Sequence, residues 1–257
     1  MKKIKIITIL LIFFPLLALS QSQSSHLSKV NKEANNPLAT IKSVSVHNIY
    51  SPSLYAIEGT ANTMWVRYAQ PIGRVLIRAS MPVNTFNGEH VNCSGLGDLN
   101  AFGTYILTNP ASHNQLGVGP ILSIPTATSS YLGSGKWQIG AAFVGYFASN
   151  DIFQCGVLAT WQHSFAGDSH RDKVHAGSIQ PFLLWQLGKG LYMRSSAITI
   201  LDFENGNYLF PVGLGMGKVV SVNKKVFNLF VEPQFAAWSR GLGLPKTQIF
   251  IGVNTQF

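Results

Sequence analysis

Beyond residue 36 the apolar residues recur at every second position over stretches of about 8 to 13 residues, and at no point with helical spacing over a long window. The clearest stretch sets Phe153, Cys155, Val157, Ala159 and Trp161 on one side and Gln154, Gly156, Leu158, Thr160 and Gln162 on the other. The same split recurs at Phe227, Leu229, Val231, Pro233 and Phe235 against Asn228, Phe230, Glu232 and Gln234, and at Ile179, Pro181, Leu183 and Trp185 against Ser178, Gln180 and Gln186. Because a strand's side chains alternate faces, a slip of one residue would invert every one of these assignments. The pattern predicts strands near 38–50, 63–72, 74–86, 96–107, 116–126, 137–148, 152–164, 175–187, 190–203, 207–220, 225–238 and 247–257.

The setting follows from the other end of the chain. Met1-Lys-Lys-Ile-Lys, the apolar run from Ile6 to Leu19 and then Ala18-Leu19-Ser20 have the layout of a secretory signal peptide. The run is shorter than the roughly 18 to 20 apolar residues of a spanning helix, and no later segment is apolar enough either. A membrane protein without spanning helices has to be a closed β-barrel, because lipid satisfies no open backbone group. The expected organisation is therefore a signal peptide over residues 1–20, a polar leader over 21–36 and a barrel over 37–257. The fold class is all-β: a transmembrane antiparallel up-and-down barrel of about 12 strands.

Composition agrees. Only 11% of residues are charged, against about 25% for a water-facing domain, which argues against a secreted sandwich or a lipocalin-like barrel. The formal charge of +9 falls to +6 once Lys2, Lys3 and Lys5 leave with the signal, and the basic residues are scattered, so nucleic acid is not an expected partner. Cys93 and Cys155 fit no metal spacing, and neither cofactor nor metal is expected. An even strand count puts both ends on the periplasmic side. The connectors near 71–74, 148–151, 187–190 and 221–225 are short, whereas those at 51–62, 86–95, 126–136, 166–175 and 239–246 read as longer outer loops; 108–115 and 204–207 break the rule. Trp137 and Trp161 fall at one set of strand ends, Trp185 and Phe257 at the other, as aromatic girdles would.

The last strand alternates Ile249, Ile251, Val253 and Thr255 outward and ends on Phe257. Phe257 with Val253 and Ile251 resembles the C-terminal signal that the barrel-assembly machinery recognises, which makes that machinery and outer-membrane lipid the expected partners. A charge facing lipid at midplane costs about 2 to 4 kcal/mol. Arg67, Arg78, Arg194, Asp98 and Glu232 should therefore face inward, with Arg78 and Asp98 on adjacent strands. They line either a basic lumen that favours anionic or polarised solutes, or a set of ion pairs that props a narrow barrel. Gly213, Gly215 and Gly217 also face in, and either widen the lumen or admit a bulky neighbour. His163-Ser164 and Asp168-Ser-His170 invite a lipase-like triad, but the His and Ser two apart followed by Asn-Gly that mark a barrel phospholipase are missing. His163, His170 and His175 have no element to converge them on a metal. No catalysis is expected.

From about Asn36 onward several stretches carry a family resemblance. They are Asn36-Pro-Leu-Ala-Thr-Ile-Lys-Ser-Val-Ser-Val46, Gly95-Leu-Gly-Asp-Leu99, Gly117-Val-Gly-Pro-Ile-Leu-Ser-Ile-Pro-Thr-Ala-Thr128, Leu132-Gly-Ser-Gly-Lys-Trp137, Phe165-Ala-Gly-Asp168 and Gln180-Pro-Phe182. On these the chain resembles the family assigned to the meta pathway of phenol degradation (MetA-pathway of phenol degradation), loosely described as transporters. The resemblance implies an outer-membrane-type barrel and supplies no catalytic residues. The expected function is a passive channel across the outer membrane for small solutes, hydrophobic, aromatic or anionic. An outer-membrane enzyme and a non-conducting structural or adhesive barrel are the alternatives.

Overall fold

The computed structural model describes residues 33–257 except 90, 110 and 224; the expected signal peptide and the leader before residue 33 lie outside the described residues. The strands are β1 (Ser43–Leu54), β2 (Gly59–Ile72), β3 (Val75–Gly88), β4 (Asn92–Leu96), β5 (Leu99–Ile106), β6 (Asn114–Ile124), β7 (Lys136–Phe147), β8 (Phe153–Gly167), β9 (His175–Gly188), β10 (Leu191–Ser195), β11 (Thr199–Asp202), β12 (Asn207–Gly213), β13 (Gly215–Val222), β14 (Lys225–Arg240) and β15 (Pro245–Gln256). Both β4 and β5 pair with β3, both β10 and β11 with β9, and both β12 and β13 with β14. Each couple is thus one stave, interrupted at residues 97–98, 196–198 and 214 respectively. Every pairing is antiparallel, and β15 pairs with β14 and, from Ser43↔Gln256 onward, with β1. The result is a closed antiparallel barrel of twelve staves, whose closure removes the sheet edge that an open sheet would expose.

The barrel is inside out relative to a water-soluble one. Val66, Ile77, Phe143, Ile179, Leu183, Met216 and Ile251 project outward at 39–48% exposure, while Gln154 and Glu232, on the inner face, are fully buried. Trp137, Trp161 and Trp238 are exposed near the rim that carries the long loops, Phe153, Trp185 and Phe257 near the rim that carries both ends of the strand series. Phe153 and Trp185 meet edge to face at 6.0 Å across β8 and β9.

The strands run further than their alternation. The loop-rim connectors expected over 51–62, 86–95 and 239–246 shrink to 55–58, 89–91 and 241–244. Past the apolar belt both faces are polar, as at Ser51, Ser53, Thr60 and Asn62, so the period fades while the backbone ladder continues. Only the connectors at 125–135 and 168–174 are long on that rim. At the opposite rim the first strand starts at Ser43 instead of residue 38, because residues 33–39 turn into the barrel mouth.

Candidate functional site: the barrel interior

The mouth at the terminus rim is occupied by the chain's own entry segment. Glu33 to Asn35 form a helical turn, and the Asn36 side chain accepts the Leu38 N–H at 2.9 Å, closing a tight turn. Leu38, fully buried, packs with Leu76, Ile106 and Val144 on the barrel's inner face. The segment's polar groups are held by inward amides: Asn36 donates to Gln115 at 3.0 Å, Asn228 donates to the Ala34 carbonyl at 3.2 Å, and Gln256 donates to the Glu33 carbonyl at 3.1 Å. Alternation predicts a strand from residue 38, whereas β1 starts at Ser43 and the chain turns before it; the Asn36-Pro37 pair is the sequence signal for that turn.

Above the segment lies a cavity of about 180 Å³, and beyond it, toward the loop rim, a second of about 520 Å³. Arg67, Arg78, Leu158, Gln180 and Phe250 line both, and so form the waist between them. Arg67 faces in from β2 and Arg78 from β3, where Arg78 lies opposite Ala69, two residues from Arg67 on the same face. The Arg67 Nη1 donates to His47 Nδ1 at 2.7 Å, and His47 Nε2 meets Asn254 Oδ1 at 2.7 Å. A guanidinium only donates, so the imidazole proton sits on Nε2 and Asn254 accepts it. Arg78 stacks on Phe102 of β5 with its guanidinium carbon 4.1 Å from the ring centre.

The third arginine is neutralised. Arg194 Nε donates to Glu232 at 2.9 Å and its guanidinium lies 3.5 Å over Phe230. Glu232 also accepts from the Ser196 N–H and hydroxyl at 2.8 Å each and from Gln234 at 3.0 Å, so its oxygens are fully bonded. Arg194 is on β10 and Glu232 on β14, with β13 between them. The inward positions of that intervening stave are Gly213, Gly215 and Gly217, and a side chain there would run into Gln234, Glu232 and Tyr192. The alternating glycines therefore admit side chains that bridge across them, Tyr192 to Asn228 at 2.5 Å being a second example.

Near this bridge the wall is incompletely laced. The β10–β13 ladder ends at Arg194↔Gly215 and the β11–β12 ladder resumes at Ile200↔Leu209, leaving residues 195–199 and 210–214 without mutual pairing. A groove on the outer side is lined by Val212, Gly213, Leu214, Pro233, Gln234 and Phe235, and Gln234 also lines the larger inner cavity.

Asp98 departs from the expected inward set. It lies in the break between β4 and β5, lines neither cavity, and binds the 125–135 loop: its oxygens accept from Ser134 N–H and hydroxyl at 2.7 Å and from the Ala127 N–H at 3.2 Å. Across from Arg78 the barrel offers Phe102. That loop is tied further by Arg171, which donates to the Gly133 carbonyl at 2.5 Å, while Lys136 at the start of β7 holds the 168–174 connector by donating to the Asp168 carbonyl at 2.6 Å.

The catalytic alternative does not assemble. His163 and Ser164 are successive residues of β8 and point to opposite faces. The Ser164 hydroxyl accepts the Val174 N–H at 3.0 Å, and Asp168 closes its own turn by accepting the His170 N–H at 2.9 Å. That bond, with the His170 ring, holds the Asp168 carboxyl below its ordinary range. His163 and His175 meet edge to face at 5.7 Å, with His170 on the exposed loop; among the described residues no three His, Cys, Asp or Glu converge as a metal site.

No protein-family model and no curated protein sequence matches the chain. Solved structures do. The fold is similar to an outer membrane channel from Pseudomonas putida F1 with a TM-score of 0.62, at 13% identity, over 85% of this chain and 96% of that one. The KdgM porin in complex with disordered oligogalacturonate matches more loosely, with a TM-score of 0.49, at 11% identity, over 84% of this chain and 99% of that one. At such identities the likeness is one of architecture.

Proposed function

We propose that the protein is an outer-membrane β-barrel that gives small solutes a passive path between the medium and the periplasm, without catalysis. The observation that carries this reading is the inside-out barrel whose two cavities follow one another along the axis and meet at Arg67 and Arg78. An exterior belt of apolar residues flanked by aromatics suits lipid; a barrel kept for mechanical support would need no such cavities. In this orientation the terminus rim is periplasmic and the long loops face outward. The likeness in fold to the outer membrane channel supports this reading, and kinship with the barrels assigned to the meta pathway of phenol degradation is part of the proposal. Lipid, small solutes and, through Phe257, Val253 and Ile251, the barrel-assembly machinery are its proposed partners.

The unlaced wall between residues 195–199 and 210–214 favours a second reading of the exit: an apolar solute leaves the outer cavity sideways past Gln234 into the lipid. Liposome swelling separates the readings. A path through the periplasmic mouth admits small hydrophilic sugars at a rate that rises when Leu38→Asp loosens the entry segment. Swelling indistinguishable from protein-free vesicles with both proteins would contradict the axial path.

A further inference from the structure

We propose that Arg67 and Arg78 form a binding site for the carboxylate of an amphipathic monocarboxylate, with the apolar part of that solute in the outer cavity. The inference rests on the channel reading for the side from which the solute enters.

The charge count around the waist carries it. The sequence has ten acidic residues, and among them Glu232 is the one that lies within the barrel on an inward strand position; the others are at residues 33, 58, 89, 98, 151, 168, 172, 202 and 204, near the rims or in connectors. Glu232 is committed to Arg194 and Ser196. Among the described residues Arg67 meets the uncharged acceptor His47 and lies 5.3 Å from the centre of the Trp65 ring, and Arg78 meets the face of Phe102, so neither has a carboxylate beside it. The Nε atoms of both are buried without a hydrogen-bond partner among the described residues. Two half-buried cations on neighbouring strands, lining the same narrow waist without a carboxylate, repel one another and favour an anion between them. Each free Nε, with the Nη on the same edge, is one prong of the fork that holds a carboxylate through two hydrogen bonds.

The neighbouring space defines the rest of the solute. The outer cavity is walled largely by apolar groups, among them Trp65, Phe102, Ile121, Leu158, Ile200 and Leu209. Inorganic phosphate would satisfy the arginines but leave that wall in contact with water, whereas a short fatty or alicyclic acid covers both. Phe102 belongs to both parts: it steadies the Arg78 guanidinium by stacking and borders the apolar wall.

Equilibrium binding to the full-length mature chain in detergent tests the site without requiring conduction. Calorimetric titration with hexanoate, hexanamide and inorganic phosphate compares the same tail without the charge and the charge without the tail. Hexanoate is expected to bind at least about tenfold more tightly than either, and the Arg67→Gln/Arg78→Gln double variant to lose about ten- to a hundredfold of that affinity. Arg74→Gln, which removes a charge from an exposed periplasmic turn, keeps the native preference. Arg67→Lys/Arg78→Lys, which retains charge but not the forks, lies between, and migration as a compact band before heating verifies that each variant is folded. Equal affinity for acid and amide, phosphate binding as tight as hexanoate, or an unchanged preference in a folded double Gln variant would each overturn the proposal. Binding without any solute flux would leave the site standing and reject the channel; flux without acid preference would do the reverse.

Discussion

Glu232 shows how an inward charge is tolerated in this barrel. It is fully buried, with Arg194, Ser196 and Gln234 all donating to it, and removing one member of such a pair typically costs about 3 to 5 kcal/mol because the other charge stays buried alone. Glu232→Ala should therefore lower the unfolding free energy of the barrel by that order, read as a lower denaturant midpoint at unchanged m, and an Arg194→Met/Glu232→Leu pair should recover most of the loss; a midpoint unchanged by Glu232→Ala would contradict the assigned bonding. Gly217 is equally constrained, since a side chain there meets the Tyr192 ring. Gly217→Leu should sharply reduce the yield of compact, heat-modifiable protein on refolding. At this scale the sequence was informative through cost: the penalty for a charge in lipid identifies Arg67, Arg78, Arg194 and Glu232 as inward positions. The same argument keeps Asp98 out of lipid but cannot say where it goes instead, because the strand breaks at Gly97-Asp98 and the carboxylate turns to a loop distant in sequence.

Among elements, legibility followed whether the two faces differ. β8, β14 and β15 each have an apolar outer and a polar inner face, and their sidedness is read directly from the period of two. Strand ends above the belt carry polar residues on both faces, so β1, β2 and β14 look shorter in sequence than they are. The interruption at residues 196–198 is hidden for another reason: there Glu232 takes the Ser196 N–H, a contact between residues far apart in the chain. The entry segment depends likewise on Asn228, Gln115 and Gln256 from distant staves. Its retention in the mouth should be sensitive to those amides. Asn228→Ala removes the bonds to Ala34 and Asn35 and the acceptor for Tyr192, and should raise the open fraction of single channels; an open fraction equal to that of the native protein would show that the segment does not obstruct the path.

For the whole molecule, the defining property is that apolar residues face out while polar ones are enclosed, and a single substitution can probe it. Phe143, outward near the middle of β7 and 39% exposed, should carry a cost of about 2 to 4 kcal/mol when replaced by Arg if its surroundings are lipid. In a water-surrounded barrel the same change would be near neutral. The central claim, a passive path through an arginine waist, is tested most directly by single-channel recording of the refolded protein in a planar bilayer under a salt gradient. The account predicts discrete steps with a reversal potential favouring anions, and loss of that preference when Arg67 and Arg78 are both replaced by Gln. A protein that inserts, keeps its heat-resistant barrel and never conducts, or one whose selectivity is unmoved by the double substitution, would contradict it.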